Sequence, residues 1–175
     1  MAKKTEKKTE RKGGGKLKRT HMVTIRLDPK LRYFTDLAAR TQRRTTSGFI
    51  EWAIEEAISK IFLQDFDGAA TTLADEAVIL WDIDEADRFA KLALNFPYLL
   101  TYDEQVLWKI IKRNGYLWKG EYGEEEDRMW IWNINQDSLI IDKLREHWDT
   151  FKDVAHGKID ASELPQWEKD DRIPF

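Results

Sequence analysis

The chain has 175 residues, enough for one or two domains, and its composition is that of a globular protein with an excess of charge. It contains no cysteine, which excludes a disulfide framework, a thiol nucleophile and a cysteine-ligated zinc site. The net charge of −3 hides an uneven distribution, because residues 1–44 hold 15 Lys/Arg and 4 Asp/Glu whereas residues 45–175 hold 14 and 28. A basic N-terminal segment followed by an acidic remainder predicts that a polyanion binds at the N-terminal end.

Residues 1–20 are predicted to form a disordered basic tail, because they contain almost no apolar side chains. The glycines at 13–15 indicate a flexible joint and not a phosphate loop, since Gly-Lys is followed by Leu17 instead of Ser or Thr. The candidate contacts to a nucleic-acid backbone in this region are Lys16, Lys18, Arg19 and His21. A tail that serves only solubility is the alternative.

In residues 22–27, apolar side chains occupy every second position, which is the two-residue period of a strand with one apolar and one polar face. The apolar positions are Val23, Ile25 and Leu27, and the positions of the other face are Met22, Thr24 and Arg26. Asp28 and Pro29 then end the strand and begin a helix. The Asp side chain caps free N–H groups, and Pro fits the first helical position, where no donor is needed.

Two helices follow the strand. The first has one apolar face, made by Leu31, Phe34, Leu37, Ala38 and Thr41. A turn is predicted at Gln42, Arg43 and Arg44, after which Thr45 or Thr46 caps the second helix. The apolar stripe of the second helix is Phe49, Ile50, Ala53, Ile54, Ala57, Ile58, Ile61 and Phe62.

The unit from residue 22 to residue 62 is too small to build a sufficient core alone, and its single strand needs a partner for its backbone groups. Two copies that pair their strands and interlock their helices satisfy both needs. With VTIRLDPKL at the strand and RTTSGFIEWAI at the second helix, residues 22–61 resemble the ribbon-helix-helix family of MetJ/Arc type, which reads DNA with a β-ribbon. The resemblance implies an intertwined homodimer with one strand per chain.

The resemblance also implies which residues contact double-stranded DNA. Met22, Thr24 and Arg26 are the candidate base readers in the major groove, and an arginine can contact guanine with two hydrogen bonds. Met22 departs from the polar residue usual in the family and offers only apolar contacts. The implied phosphate contacts at the start of the second helix are Thr45, Thr46 and Ser47, with Arg43 and Arg44 in the turn before it. Ordinary strand and cap residues in a fold that does not bind DNA are the alternative.

The sequence predicts a mainly α-helical protein of five segments. These are the tail at 1–20, the DNA-binding domain at 21–63, a linker at 64–72, a Trp-rich domain at 73–157 and an extended tail at 158–175. In the Trp-rich domain, helices are expected near 73–81, 84–95, 101–114 and 137–155, with a small β-hairpin at 116–119 and 129–134. Its tryptophans indicate either a core or a surface that binds a protein or senses a ligand.

A winged helix, which would be a second DNA reader, is disfavoured by the acidic loop Glu121–Asp127, whose carboxylates would repel phosphates. The contiguous acidic run Glu124–Asp127 within it lacks the pattern of a calcium loop with its glycine turn. His147 and His156 lie nine residues apart instead of the four of a helical metal pair. We therefore expect no catalysis, no metal and no cofactor.

The main hypothesis is a sequence-specific transcriptional regulator, in the role of a repressor, that binds operator DNA as a dimer or higher oligomer. The alternatives are an antitoxin whose C-terminal segment wraps a toxin, and an accessory protein for plasmid or phage DNA processing or partition. No apolar run approaches the ~18 residues that span a membrane, and the basic N-terminus lacks the apolar segment of a secretory signal. We expect a cytoplasmic, nucleoid-associated protein.

Overall fold

The computed structural model of the chain describes residues 23–64, 70–122 and 130–167. The contacts between Cα atoms divide the chain into two compact units, residues 1–50 and residues 51–175. The division falls where the charge reverses, because the first unit carries 15 Lys/Arg and 4 Asp/Glu and the second carries 14 and 28. The two units therefore differ in charge as well as in contacts.

Helices predominate in the described residues, and the strands are short and antiparallel. The helices are α1 (Pro29–Thr41), α2 (Thr46–Ile58), α3 (Leu73–Leu80), α4 (Glu85–Asn95), α5 (Tyr102–Arg113), α6 (Ile141–Glu146) and α7 (Trp148–Ala155). The strands are β1 (Phe62–Gln64), β2 (Ala70–Thr72), β3 (Gly120–Tyr122) and β4 (Trp130–Trp132). Short 3-10 turns lie at Pro97–Leu99, Gly115–Leu117 and Ala161–Glu163. The prediction of a mainly helical protein with a small hairpin is confirmed at this level.

Several expectations concern residues outside the described ranges. They are the basic tail with Lys16, Lys18, Arg19 and His21, the base reader Met22, and the acidic positions Glu124–Asp127. Parts of the predicted linker and of the extended tail, residues 65–69 and 168–175, also lie outside these ranges.

The second helix ends earlier than its apolar stripe predicts. α2 stops at Ile58, and Phe62, which the stripe assigns to the helix, begins β1. β1 pairs with β2 in antiparallel register, with Phe62 opposite Thr72 and Gln64 opposite Ala70. The end of the predicted DNA-binding domain at 21–63 therefore pairs with the end of the predicted linker at 64–72 in a small hairpin, and Leu63 within it is buried. The β-branched and aromatic residues at 61–63 suit a strand as well as a helix.

The core of the second unit lies between α4, α5, α6 and α7. Its buried side chains include Phe89, Leu107, Ile111, Trp118 and Phe151. On α4, Ala86, Phe89, Ala90 and Ala93 recur at the spacing of one helical face and are all buried. Thr101 and Glu104 form a capping box at the start of α5. The helices expected near 84–95 and 101–114 are thus present as α4 and α5, and the buried face of α5 consists of Leu107, Trp108 and Ile111.

Three of the tryptophans of the second unit are buried core residues, and these are Trp108, Trp118 and Trp148. The indole of Trp118 donates a hydrogen bond to the carbonyl of Ile111 at 2.9 Å, and that of Trp132 donates to Lys112 at 3.1 Å. Burial of these large rings stabilises the unit, by about 3–5 kcal/mol per ring on the scale of truncation to alanine. This density of tryptophan therefore serves packing to a large extent.

Two predicted elements of the second unit are wrong in position. Residues 115–117 form a 3-10 turn, and the strand β3 begins at Gly120 instead of Tyr116. The helix predicted at 137–155 begins four residues later, at Ile141, and is divided at His147 into α6 and α7. It begins late because the backbone near Ser138 and Ile140 bonds to another segment. Lys119 N donates to the carbonyl of Ser138 at 2.7 Å, and Ile140 N donates to the carbonyl of Leu117 at 2.8 Å. That pairing replaces the first helical turn.

Candidate nucleic-acid interface

The start of α1 is built as the Asp-Pro pair predicts. Oδ1 of Asp28 accepts hydrogen bonds from the backbone N–H groups of Lys30 at 2.9 Å and Leu31 at 3.0 Å. Pro29 occupies the first helical turn. Thr24 and Arg26 directly precede this cap, and both are exposed. The two candidate base readers that the structure describes are thus accessible to a partner.

Residues 23–27 belong to no helix or strand in the single chain. A strand is defined by hydrogen bonds to a neighbouring strand, and within the described residues this segment has none. Its apolar positions are also uncovered, with Val23 77 % exposed and Ile25 55 % exposed. The predicted strand therefore stays a prediction that requires a second copy of the chain.

The turn between α1 and α2 has the hydrogen bonds of a Schellman motif. Arg44 N donates to the carbonyl of Ala39 at 2.9 Å, and Arg43 N donates to that of Arg40 at 3.0 Å. The motif places Arg43 in the left-handed region with φ of 54°, a conformation that favours glycine. The side chains of both arginines are exposed at the start of α2.

The hydroxyls predicted to hold phosphate have different surroundings. Thr45 caps α2, because its Oγ1 accepts a hydrogen bond from Gly48 N at 3.0 Å. The hydroxyl of Thr46 donates to Oδ1 of Asp36 at 2.9 Å. Ser47 is exposed beside them. The Asp36 carboxylate reduces the positive potential of the helix start, and it occupies the Thr46 hydroxyl that the sequence assigns to phosphate.

The cations of residues 23–50 are mostly unpaired. This stretch holds six basic residues and two carboxylates, of which Asp28 caps α1 and Asp36 binds Thr46. Within the described part of the chain, the five basic residues other than Arg44 have no carboxylate within ion-pair distance: Arg26, Lys30, Arg32, Arg40 and Arg43. The unit thus carries a net positive charge that it does not neutralise itself.

The apolar face predicted for α1 is also uncovered. Leu31, Phe34 and Leu37 are 51 %, 52 % and 37 % exposed, respectively. α2 has no buried residue along its 13 positions, although most of them are apolar. A single copy therefore leaves unburied the side chains that the sequence assigns to a core.

A second candidate region is an apolar cavity of about 580 Å³ in the second unit, whose walls include Phe89, Leu107 and Trp148. At its rim, Nζ of Lys152 lies 3.1 Å from Oε2 of Glu85 and 3.0 Å from Oδ1 of Asp149. Burial disfavours the Lys152 ammonium, but its hydrogen bonds to Asp149 and Glu85 outweigh burial and raise its pKa above the ordinary value. The Lys152 ammonium is already paired with two carboxylates, so the cavity offers a ligand mainly apolar contacts.

The histidines considered as metal ligands are separated in the structure. The ring of His147 lies edge-on to Tyr116, with 5.6 Å between ring centroids, and His156 is the C-cap of α7. Within residues 23–64, 70–122 and 130–167, no group of three or more His, Asp or Glu side chains could hold a metal ion. In the same ranges, none of the helices combines the length and the apolar character needed to cross a bilayer.

Comparisons of the chain with protein-family models, with curated proteins and with solved structures found no match. The function is therefore inferred from the residues and their geometry.

Proposed function

We propose that the chain is a sequence-specific DNA-binding regulator of transcription, a repressor that reads the major groove with a β-ribbon formed by two copies. The observation that carries this proposal is the state of residues 23–27. Val23 and Ile25 are exposed and alternate with Thr24 and Arg26, and among the described residues the backbone of this segment has no strand partner. The segment has the pattern of half a two-stranded ribbon.

Dimerisation follows from the uncovered apolar surfaces of α1 and α2. The exposed faces of α1 and α2 would bury each other across a two-fold axis, which is the commonest symmetry of homo-oligomers. Burial of apolar area is the dominant driving force for such an association. A second copy would thus supply both the missing strand partner and the missing core.

The charge of the unit supports DNA as the partner. Positive charge that no carboxylate neutralises attracts the phosphate backbone and accelerates association, independently of sequence. Arg26 adds the possibility of sequence reading, because its planar guanidinium can donate two hydrogen bonds to guanine. The left-handed turn at Arg43 presents that side chain at the start of α2, where the helix dipole favours an anion despite Asp36.

The test is a selection of bound sites from a random pool of duplex DNA with the full chain at fixed salt, followed by binding of variants to the enriched site. Arg26→Ala should remove about 1–3 kcal/mol of discrimination for each base contact. Arg26→Lys should keep most of the salt dependence and lose much of the sequence preference, because lysine cannot form the same paired contact.

Arg32→Ala is the matched control, since it removes an exposed arginine of the same unit that has no ion-pair partner in the described part of the chain and is not expected to read bases. It should reduce affinity equally for all sequences. The proposal is wrong if no sequence is enriched, or if Arg26→Ala binds the selected site as tightly as the parent chain.

A further inference from the structure

A second cavity of the second unit, residues 51–175, has three basic residues in its lining. It has a volume of about 780 Å³, within the usual range for small-molecule sites, and lies at the C-terminal end of α5 beside the turn Pro97–Leu99. Its charged lining residues are Lys109, Lys112 and Arg113. Among the described residues that line it, none is a carboxylate. We call it the α5 basic cavity.

The three cations of the α5 basic cavity share one helical face. They stand at positions i, i+3 and i+4 of α5, where neighbouring side chains are about 5–6 Å apart at Cβ. Within the described residues, none of the three has an ion-pair partner. This occurs in a unit that holds 28 acidic and 14 basic residues. Adjacent cations repel one another, so a bound anion would stabilise the arrangement.

Stabilisation of the helix dipole explains only part of this cluster. Lys112 and Arg113 lie in the last turn of α5, where a cation offsets the negative end of the dipole. Lys109 lies one turn earlier, where that effect has largely decayed. The convergence of all three on one cavity therefore calls for another partner.

Tyr98 adds a flat aromatic surface to the same cavity. Tyr98 is one of the lining residues and is 57 % exposed, and its ring stands edge-on against buried Phe96, with 6.3 Å between centroids. A ring anchored in this way can stack on the base of a ligand, an interaction worth about 1–3 kcal/mol. The cavity thus combines a site for phosphate with a site for a planar ring.

From this combination we infer that the α5 basic cavity binds a nucleotide. Lys109, Lys112 and Arg113 hold the phosphates, and Tyr98 stacks on the base. A small ligand is favoured over a nucleic-acid strand because residues 51–175 carry twice as many acidic as basic residues and would repel an extended polyanion. The inference does not depend on the proposed reading of DNA by residues 22–61.

Calorimetric titration of the full chain with ATP, and in parallel with inorganic triphosphate, tests the inference. The double variant Lys109→Gln/Lys112→Gln should weaken ATP binding by about tenfold or more, because each charge-assisted hydrogen bond is worth at least that much. Lys158→Gln is the matched control, since it removes a lysine of the same unit that is paired with Asp153 outside the cavity. It should change ATP affinity by less than about twofold.

The contribution of the base is tested with Tyr98. Tyr98→Ala should lower ATP affinity about tenfold and leave triphosphate binding unchanged, because only ATP carries a base to stack. Tyr98→Leu keeps the apolar packing against Phe96 and should show the same selective loss, which separates stacking from misfolding.

Three results would overturn the inference. The first is no heat of binding with ATP at millimolar concentration. The second is equal ATP binding by the parent and the double variant, which would place the phosphates on the 15 basic residues of residues 1–50. The third is loss of duplex DNA affinity in the double variant without loss of ATP affinity, which would make the cavity a contact for DNA.

Discussion

Asp87 and Arg145 join α4 to α6 through two parallel hydrogen bonds. Arg145 Nε donates to Oδ2 of Asp87 at 2.7 Å, and Nη2 donates to Oδ1 at 2.6 Å. The Asp87 side chain is buried, whereas Arg145 also contacts Asp142, which is exposed. The hydrogen bonds with Asp87 raise the pKa of Arg145 above its ordinary value, although burial opposes them. The fork-like geometry fixes the distance and the angle between two core helices.

Loss of Asp87 should destabilise the second unit more than loss of Asp142. Arg145 is 41 % exposed, so Asp87→Asn does not leave a buried charge, but it replaces two parallel charge-assisted hydrogen bonds at a buried position with weaker ones. Asp142→Asn removes a solvent-screened carboxylate from the same arginine and should have a small effect. Urea unfolding of both variants at neutral pH measures the difference. Equal losses in the free energy of unfolding would contradict the structural role of the Asp87 contact.

Phe34 should be essential for dimerisation. It is 52 % exposed in the single chain, where truncation would change the stability by about 0.5 kcal/mol or less. If a second copy buries it, Phe34→Ala should instead weaken the dimer by about 3–5 kcal/mol. Sedimentation equilibrium over a range of protein concentrations measures the dissociation constant.

Tyr102→Ala is the control for Phe34→Ala, because Tyr102 is 79 % exposed at the start of α5 and has no place in the proposed dimer core. The dimer dissociation constant of Tyr102→Ala should match that of the parent chain. A monomeric parent chain at high concentration, or equal constants for both variants, would rule out the proposed dimer.

The elements that could be predicted from the sequence are those that neighbouring residues determine. The caps at Asp28, Asp84 and Thr101 need only the next three or four residues, and α4 and α5 follow from apolar spacing. The break before α6 depends on hydrogen bonds between residues 117–119 and 138–140. No local pattern contains that information. For the same reason the α5 basic cavity was not predicted, although the spacing of Lys109, Lys112 and Arg113 was visible.

Gly120 should tolerate no side chain. A Cβ atom there would overlap the carbonyl oxygen of Ile131 on the paired strand and lie 2.9 Å from the ring of Trp130. Gly120→Ala must therefore push β3 away from β4, at a cost of about 1–3 kcal/mol. Glu121→Ala, on the same strand and exposed, should change stability by about 0.5 kcal/mol or less. Thermal unfolding of both variants provides the comparison.

The free energy of unfolding should fall in acid, because several carboxyl groups of the second unit have a pKa below the ordinary value. A hydrogen bond from Lys91 is the main cause that lowers the pKa of Asp82 below 3.8, and Lys158 acts in the same way on Asp153. A carboxyl group whose pKa is lower in the folded than in the unfolded chain stabilises the fold fully when the pH is above its unfolded-state pKa. That stabilisation is lost as the pH falls through the lower pKa of the group in the folded state.

Lys91→Gln should flatten the acid limb of this pH dependence. Without the lysine, the pKa of Asp82 returns toward 3.8, so the folded and unfolded states bind protons more equally near pH 4. Lys109→Gln removes a lysine that has no carboxylate partner among the described residues and should leave the acid limb unchanged. Urea unfolding as a function of pH measures both slopes, and a parallel change in the two variants would indicate a general charge effect.

Arg43 connects backbone strain with the proposed interface. Gly157 occupies the equivalent left-handed position at the end of α7, with φ of 68°, and Lys158 N closes that turn on the carbonyl of Asp153 at 2.8 Å. Arg43 adopts the same geometry with a side chain, which costs about 1 kcal/mol relative to glycine. Arg43→Gly should therefore stabilise the chain by about 1 kcal/mol, measured by urea unfolding at one fixed protein concentration.

The same substitution should weaken DNA binding if Arg43 contacts a phosphate. Loss of one phosphate contact reduces the slope of log affinity against log salt by about 1 and affects all sequences alike. Arg43→Asn separates the two effects, because asparagine tolerates the left-handed conformation and also lacks the charge. Both variants should lose the same affinity, while Arg43→Gly gains more stability. If Arg43→Gly gains stability with no loss of affinity, Arg43 is not a phosphate contact and the strained turn has no role in binding.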